Sequence, residues 1–344
     1  MQFKGWPEIL IHNDAGQEET AKAPLIISAS RATDIPAFYS NWFFNRLEKG
    51  HVKWINPFNG KATYVSFHHT RAIVFWTKNP GPVIPFLHYL DSRNINYYFL
   101  FTLNDYEKEG FEPHVPILKK RIETFKKLSE KIGRKRVLWR FDPLLQTPEI
   151  TPSELIHRIQ YIGDQTHPFT DKLIFSFAQI SCYKKVQRNL IANTDQFKRE
   201  DITMGEFTNE QKHKVAEKIG ELASRWNIQA ASCAEEIDLT AYGIKHNKCI
   251  DDELMRRIFP EDKTLLHFLN TGEPIPSSQK SLFKAQGNSV KDPGQRNQCG
   301  CIPSKDIGKY NTCPHLCVYC YANSNRRSTL RNFHAHNPNA ETIC

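Results

Sequence analysis

Three cysteines stand at C-x3-C-x2-C spacing in Cys313-Pro314-His315-Leu316-Cys317-Val318-Tyr319-Cys320, with an aromatic residue directly before the last. Thiols this crowded are poorly placed to pair with one another as disulfides, but they can converge on one soft metal centre. Thiolate sulfur selects zinc, copper(I) or an iron–sulfur cluster. A four-iron cluster held by three cysteines leaves one iron without a protein ligand, and a small molecule can bind and react there. The plainer readings of the same residues are a zinc knuckle and incidental clustering. His315 lies inside the loop and is expected to face solvent rather than bind metal.

The other cysteines are Cys182, Cys233, Cys249, Cys299, Cys301 and Cys344. The start of the chain, Met1-Gln2-Phe3-Lys4-Gly5-Trp6-Pro7, lacks an apolar secretion segment, so a cytoplasmic location is the expectation. In a reducing compartment, clustered cysteines read as metal-binding or catalytic. Cys233, Cys249, Cys299 and Cys301 are expected to hold a second, fully ligated 4Fe–4S cluster. Structural zinc is the alternative, since four thiolates also suit a zinc tetrahedron. A buried, purely hydrophobic Cys233 is the plainer reading of that residue. Cys182 is expected to serve packing, and Cys344 has no assignment.

The net charge of +9 invites a nucleic-acid partner. A three-thiolate and a four-thiolate cluster would contribute about −1 and about −2, leaving roughly +6 spread along the chain. Nucleic acid is therefore possible but not favoured. A hydrophobic content of 40% with 24% charged residues is that of a globular protein, and no apolar run is long enough to span a bilayer.

Six short apolar segments read as strands covered on both faces. They begin at Leu25, Ala72, Tyr97, Arg136, Leu173 and Ile228 and end at Ser30, Trp76, Thr102, Phe141, Phe177 and Cys233. Helical patterns lie between them. Leu118, Ile122, Phe125, Leu128 and Ile132 recur at steps of three and four. Thr151-Pro152-Ser153-Glu154 and Thr208-Asn209-Glu210-Gln211 read as capping boxes. Ala37 to Glu48 and Val83 to Leu90 are further helix candidates. The alternation predicts parallel strands with crossover helices, arranged as a (β/α)6 partial barrel over residues 1–286. From 287 to 344 the composition turns to Gly, Pro, Asn, Arg and Cys, and apolar periodicity is lost. That segment is expected to bind metal and pack on the barrel mouth.

Parallel barrels carry their functional groups at strand C-terminal ends. There the sequence places Arg31 and Asp34, Lys78, Asn104 and Asp105, Arg140 and Asp142, and Cys233 and Glu235. Lys78 and Arg140 suit a ligand carboxylate, Arg by a two-point fork and Lys as a point charge. Asp34, Asp142 and Glu235 suit hydroxyls or substrate. Arg31–Asp34 and Arg140–Asp142 also read as structural pairs. His68-His69 reads as surface, and His334 and His336 as a polar, disordered tail.

The three-cysteine spacing and its aromatic residue resemble the motif of radical S-adenosylmethionine (SAM) enzymes. Thr77-Lys78-Asn79-Pro80, Glu112-Pro113 with Arg121, and Arg140-Phe141-Asp142-Pro143-Leu144 resemble barrel segments of the spore photoproduct lyase-like branch. From Ile27-Ser28-Ala29-Ser30-Arg31 to Cys320-Tyr321-Ala322-Asn323 the chain resembles the bacterial DUF1848 family. The resemblance implies a cluster on Cys313, Cys317 and Cys320 whose open iron holds SAM, with the SAM carboxylate on Lys78 or Arg140. Lys78, Arg140 and Asp142 are then the expected catalytic set. Tyr319, Asn323, Arg31, Asp34 and Glu235 are expected to bind the cofactor, Tyr319 through its backbone at the adenine. The family's cysteine loop usually follows the first strand, whereas here it follows all six, which implies a circular permutation. The family's Gly-Gly-Glu element is not visible.

The expected activity is reductive cleavage of SAM to start radical chemistry on an unknown substrate, served by an electron donor such as flavodoxin or ferredoxin. The competing classes are a zinc-stabilised nucleic-acid-binding protein and a non-catalytic iron–sulfur electron carrier.

Overall fold

The computed structural model describes residues 3–274, 290–296 and 298–344. The expected division between 286 and 287 lies outside the described residues. The described residues form two sheets. Along the chain come β1 (Glu8–His12), β2 (Glu18–Lys22), β3 (Ile26–Ala29), β4 (His51–Ile55), β5 (Ala62–Ser66) and β6 (Ala72–Thr77). They are followed by β7 (Asn96–Thr102), β8 (Val137–Leu144), β9 (Lys172–Phe177), β10 (Gln229–Ser232), β11 (Ile244–His246) and β12 (Lys305–Asp306).

The large sheet runs β11-β10-β9-β8-β7-β6-β3-β12, and every neighbouring pair is parallel. The fold is therefore mixed α/β around a large parallel sheet. The six expected strands are β3 and β6 to β10, with ends shifted by a few residues at most. β11 and β12 extend the sheet at either side and are too short to show as apolar runs. The small sheet, β1-β2-β5-β4, was not expected. Its strands are half-exposed, and in β1 even Leu10 faces outward, 65% exposed, so no continuous apolar run marks them.

Between the strands lie α1 (Ile35–Phe38), α2 (Ser40–Lys49), α3 (His88–Ser92), α4 (Leu118–Ile132) and α5 (Pro152–Thr166). Then come α6 (Lys184–Asn193), α7 (Asn209–Trp226), α8 (Asp252–Ile258), α9 (Lys263–Thr271) and α10 (Arg326–His334). Thr208 and Gln211 form the full reciprocal capping box of α7. Thr151 caps α5 by accepting from the Glu154 N–H, but the Glu154 carboxylate turns to Arg158 instead of back to the cap. The single helix expected from Ala37 to Glu48 breaks at Tyr39, whose φ of −128° and ψ of 22° leave the helical region. The helix expected from Val83 resolves into a one-turn 3-10 segment (Ile84–Phe86) and α3.

Alternate residues of the large sheet enter two different cores. Ile27, Ile73, Phe75, Phe99, Trp139 and Phe175 pack with residues of α2, α4, α5 and α7. Ile26, Val74, Tyr98, Leu100, Leu138 and Ile174 pack with α8, α9 and the Cys301–Ile302 segment. Each fully buried large apolar side chain contributes roughly 1.5–3 kcal/mol, which is why both faces need apolar residues and the strands read as unbroken runs.

The end of the chain is ordered rather than a loose polar tail. His334 ends α10, and His336 packs edge-on against Tyr39 with its Nδ1 2.5 Å from the Ile343 carbonyl. Trp42 Nε1 donates to the Ala340 carbonyl at 2.9 Å, and Lys53 N–H to that of Glu341 at 2.9 Å. Among the described residues no helix is long and apolar enough to cross a membrane.

Candidate metal and active site

The C-terminal ends of β3, β6, β7 and β8 present Asp34, Lys78, Asn104 and Asp142 along one edge of the sheet, and the three-cysteine loop closes onto that edge. Asp34 accounts for much of the closure. Its Oδ1 accepts from the Ala37 N–H at 3.0 Å and so caps α1. Its Oδ2 accepts from the Lys78 backbone N–H at 2.7 Å and lies 2.8 Å from His315 Nε2. The other ring nitrogen of His315 lies 3.2 Å from the His114 carbonyl. Both neighbours are acceptors, so both ring nitrogens are engaged. His315 is buried and stacks edge-on with Phe38, which corrects the expected solvent-facing position.

A second anchor lies beneath Tyr319. Glu112 Oε1 accepts from Lys78 Nζ at 2.7 Å, from Asn104 Nδ2 at 3.0 Å and from the Tyr319 hydroxyl. Lys78 Nζ is also 3.1 Å from that hydroxyl, and Arg121 Nη1 is 3.5 Å from Glu112 Oε2. Burial alone would raise the Glu112 pKa, but the Lys78 and Arg121 charges outweigh it and hold the carboxyl at about 2. Burial lowers the Lys78 pKa and Glu112 more than reverses it, so the lysine stays charged. Burial, with the charges of Glu112 and Cys317, lifts the Tyr319 hydroxyl well above its ordinary value.

The thiols of Cys313, Cys317 and Cys320 lie close enough to feel one another's charge. Burial is the main cause raising all three, Cys313 to about 12. The sulfurs do not all fall within 4.8 Å of one another. Around a single zinc, sulfurs would sit about 3.8 Å apart, as tetrahedral bonds of ~2.3 Å require. The loop is thus wider than one ion demands. Backbone N–H groups of Ala322 and Asn323 lie near the Cys320 sulfur, and that of His315 near Cys313. Leu316, directly before Cys317, holds a φ of 55°, a left-handed conformation costly for a branched residue and found where surrounding contacts enforce it. A cleft of about 470 Å³ reaches the loop between Gly110, Asn189, Leu316 and Cys317.

The four remaining candidate thiols gather at a separate point beyond β10 and β11. Cys233 Sγ and Cys249 Sγ are 3.8 Å apart. The Cys301 sulfur accepts from the N–H groups of Cys249 at 3.2 Å and Ile250 at 3.4 Å, and lies near the Cys249 and Cys299 thiols. Arg31 and Arg140 flank this group and interact with its thiols. Tyr321 spans the two groups: its hydroxyl donates to the Arg31 carbonyl at 2.8 Å, and it is near enough to Cys320 to feel its charge.

A family model described as "Domain of unknown function (DUF1848)" matches residues 26–322, most of the chain. The chain belongs to the DUF1848 family. The matched segment holds the large sheet and both cysteine groups of this DUF1848 protein; α10 and the docked tail follow it. No curated protein matches the chain. Among solved structures it is similar to a "putative alpha-L-fucosidase" from Bacteroides thetaiotaomicron, at 10% identity and a TM-score of 0.24, over 54% of this chain and 71% of the other. A TM-score that low does not establish a shared fold.

Several side chains expected at the site of the DUF1848 chain have partners within the protein. Lys78, expected to take a ligand carboxylate, is paired with Glu112. Arg140 is likewise paired with Asp142, which also accepts from Ser176, so the structural-pair reading holds there. Asp34 spends both oxygens on the backbone and His315, and it pairs with the histidine rather than with Arg31. Glu235 accepts from Lys212 at 3.1 Å and from its neighbour's N–H at 2.8 Å. Asn323 braces the loop through Nδ2 to the Cys313 carbonyl at 2.9 Å, leaving its buried Oδ1 unpartnered. Cys182, expected to pack, is exposed. His68 is exposed as expected, while His69 is half-buried.

Asn104 was expected only as a strand-end group, Glu112 only through the family resemblance and His315 only as a solvent-facing residue, so the network that Glu112 and Asn104 form and the anchoring by His315 were not expected. Glu112 and Asn104 carried a signal as polar residues close after apolar or glycine-rich stretches. His315 carried none beyond its place between the cysteines. Outside the sheet edge, Asp14, His51 and Glu341 bring ligand atoms within 4.8 Å of one another. Arg46 already grips Asp14 through both guanidinium nitrogens, at 2.7 and 3.1 Å, so this group reads as an ionic clasp on the chain end.

Proposed function

We propose that this protein is a radical SAM enzyme of (β/α)-barrel type, with a cluster carried by Cys313, Cys317 and Cys320. The observation that carries the reading is the closure of the three-thiol loop onto the C-terminal edge of a parallel sheet, where such folds concentrate their chemistry. The alternate packing of the sheet, helices outside and α8, α9 and Cys301–Ile302 against the other face, supports a partial barrel with its base filled. The lateness of the loop in the chain supports a permuted order.

The donor set fits a cluster better than a zinc knuckle. A Cys3His zinc site needs a free histidine nitrogen, and both of those on His315 are engaged. The sulfur spacing exceeds that around one ion. Backbone N–H groups near Cys313 and Cys320 suit anionic sulfur. Raised thiol pKa values mean that loading the loop releases protons, so loading favours higher pH.

When bound, such a cluster would supply the electron for reductive cleavage of SAM. The chain's own residues hold and enclose it. Asp34 and His315 fix one side of the loop, and Glu112, Lys78 and Tyr319 the other. Lys78 and Lys185 are the cations near Cys320, and with Lys78 held by Glu112, Lys185 is the one that would anchor a ligand carboxylate. An external electron donor is required.

Anaerobic purification followed by iron and sulfide analysis, then assay for 5′-deoxyadenosine after reduction with SAM, tests the reading. A brown protein that cleaves SAM is expected. A colourless protein with zinc on Cys313, Cys317 and Cys320 would overturn it.

A further inference from the structure

We infer that Cys233, Cys249, Cys299 and Cys301 bind a tetrathiolate metal centre, a zinc ion or a four-iron cluster, whose double negative charge is matched by Arg31 and Arg140. The centre is distinct from the three-cysteine loop and is argued without reference to radical chemistry.

Four cysteines from three separate stretches of chain meet here. Cys233 follows β10 directly, Cys249 follows β11, and Cys299 and Cys301 arrive from the segment before β12. Local sequence does not bring such residues together; the fold does. Cys233 Sγ and Cys249 Sγ lie 3.8 Å apart, the edge of a zinc tetrahedron with bonds of ~2.3 Å, while no three of the four sulfurs fall within 4.8 Å of one another, a spread that suits a four-iron cluster better than a single ion. Cys301 links this pair to Cys299 and accepts two backbone N–H groups. Asn247 adds a third donor type, its Nδ2 lying 3.4 Å from Cys249 Sγ. Donors turned toward sulfur are the outer shell that orients thiolate ligands.

The arginines supply the second, independent observation. Arg140 is only 9% exposed, pairs through one nitrogen with Asp142, and leaves its buried Nε without a partner. Arg31 lies 5.1 Å over the Trp76 ring and leaves its buried Nη2 without a partner. Both sit within electrostatic range of Cys249. Asp142 engages one Arg140 nitrogen, and Asp306, whose Oδ2 accepts the Arg31 backbone N–H at 2.8 Å, lies beside Arg31, yet each guanidinium keeps one buried N–H with no partner. Unpartnered buried donors are costly unless something anionic meets them. A tetrathiolate zinc or a fully ligated four-iron cluster carries about −2, and its sulfurs would give both donors an acceptor. An open cleft of about 600 Å³, lined in part by Glu235, His246, Gln298 and Cys299, reaches one corner of the group, so Cys299 is its solvent-facing ligand.

The test starts from the Cys313→Ala/Cys317→Ala/Cys320→Ala variant, purified anaerobically, with zinc, iron and sulfide measured by mass spectrometry and colorimetry. Retention of about one zinc, or of about four irons with sulfide, supports the centre and names its metal. Adding Cys233→Ser and Cys301→Ser should lower that metal at least tenfold. No metal in the triple variant, or metal indifferent to the added substitutions, overturns the proposal. Thiol alkylation of the unaltered protein avoids reliance on variant folding. Cys299 should label at least tenfold faster after chelation than before, and equal rates overturn the proposal. Arg140→Gln should speed release of the metal to a chelator about tenfold; unchanged release overturns the charge-matching role. None of these readouts depends on SAM cleavage, so failure here is distinguishable from failure of the radical reading.

Discussion

Lys78 Nζ lies 2.7 Å from Glu112 Oε1, and the Tyr319 hydroxyl bonds to both partners, so an ion pair formed between two segments at the edge of the parallel sheet is sealed by the cysteine loop. The pair is buried, and breaking it strands a charge. Lys78→Ala should therefore cost about 3–5 kcal/mol of stability, measured by urea denaturation, and not merely weaken a ligand. A loss below about 1 kcal/mol would mean that the pair is readily solvated.

Acid should expose the same contact. The folded-state pKa of Glu112 is depressed to about 2 from the ordinary 4.5. Its contribution is thus fully present above about pH 4.5 and disappears as pH falls toward 2, on the order of 3 kcal/mol in all. Stability measured across that window should fall in the native protein and fall less in Glu112→Gln. Identical slopes would contradict the depressed value.

His315→Ala removes a buried bond to Asp34 and the contact with the His114 carbonyl. A bond to a charged group contributes about 1.5–3 kcal/mol. Amide hydrogen exchange across residues 313–320 should accelerate, and iron loading of the loop should drop. Unchanged exchange would show that the loop is held by other contacts.

Cys317→Ala should abolish formation of 5′-deoxyadenosine and lower iron content, because one of three ligands is lost. Cys182→Ala should leave both unchanged, since that thiol faces solvent. Full SAM cleavage by the Cys317 variant would sink the proposed mechanism.

Gly220 of α7 offers a check on the scaffold. A Cβ there would lie 2.3 Å from the Tyr242 carbonyl oxygen, and a backbone atom cannot step aside cheaply. Gly220→Ala should cost about 1–3 kcal/mol and lower the melting temperature. No change in melting would mean that the Tyr242 turn shifts freely.

The central strands were legible because both their faces are covered. Val74 and Phe75 enter opposite cores, so burial leaves no polar gap to obscure the run. The small sheet was not, because its strands carry Glu8, His12, Glu18 and Glu19 on half-exposed ribbons and their stability comes from pairing rather than from apolar content. In the site, strand-end residues were recognisable as a class but their partners were not. Asp34 meets His315 across 281 positions of sequence, and Lys78 meets Tyr319 across 241. Pairings of that kind depend on where the late loop lands, and neither spacing nor composition encodes it.

Among the described residues all twelve strands precede Cys313 in the chain. A ribosome therefore releases all of these strands before the first of the three loop thiols emerges, and Asp34, Lys78 and Glu112 wait for partners that are synthesised later. Whatever those thiols bind can be delivered only after the sheet's own segments have been made. An arrested nascent chain ending before residue 313 would carry Cys233, Cys249, Cys299 and Cys301 yet have nothing of the loop, so the two cysteine groups are separated in time of manufacture as well as in space.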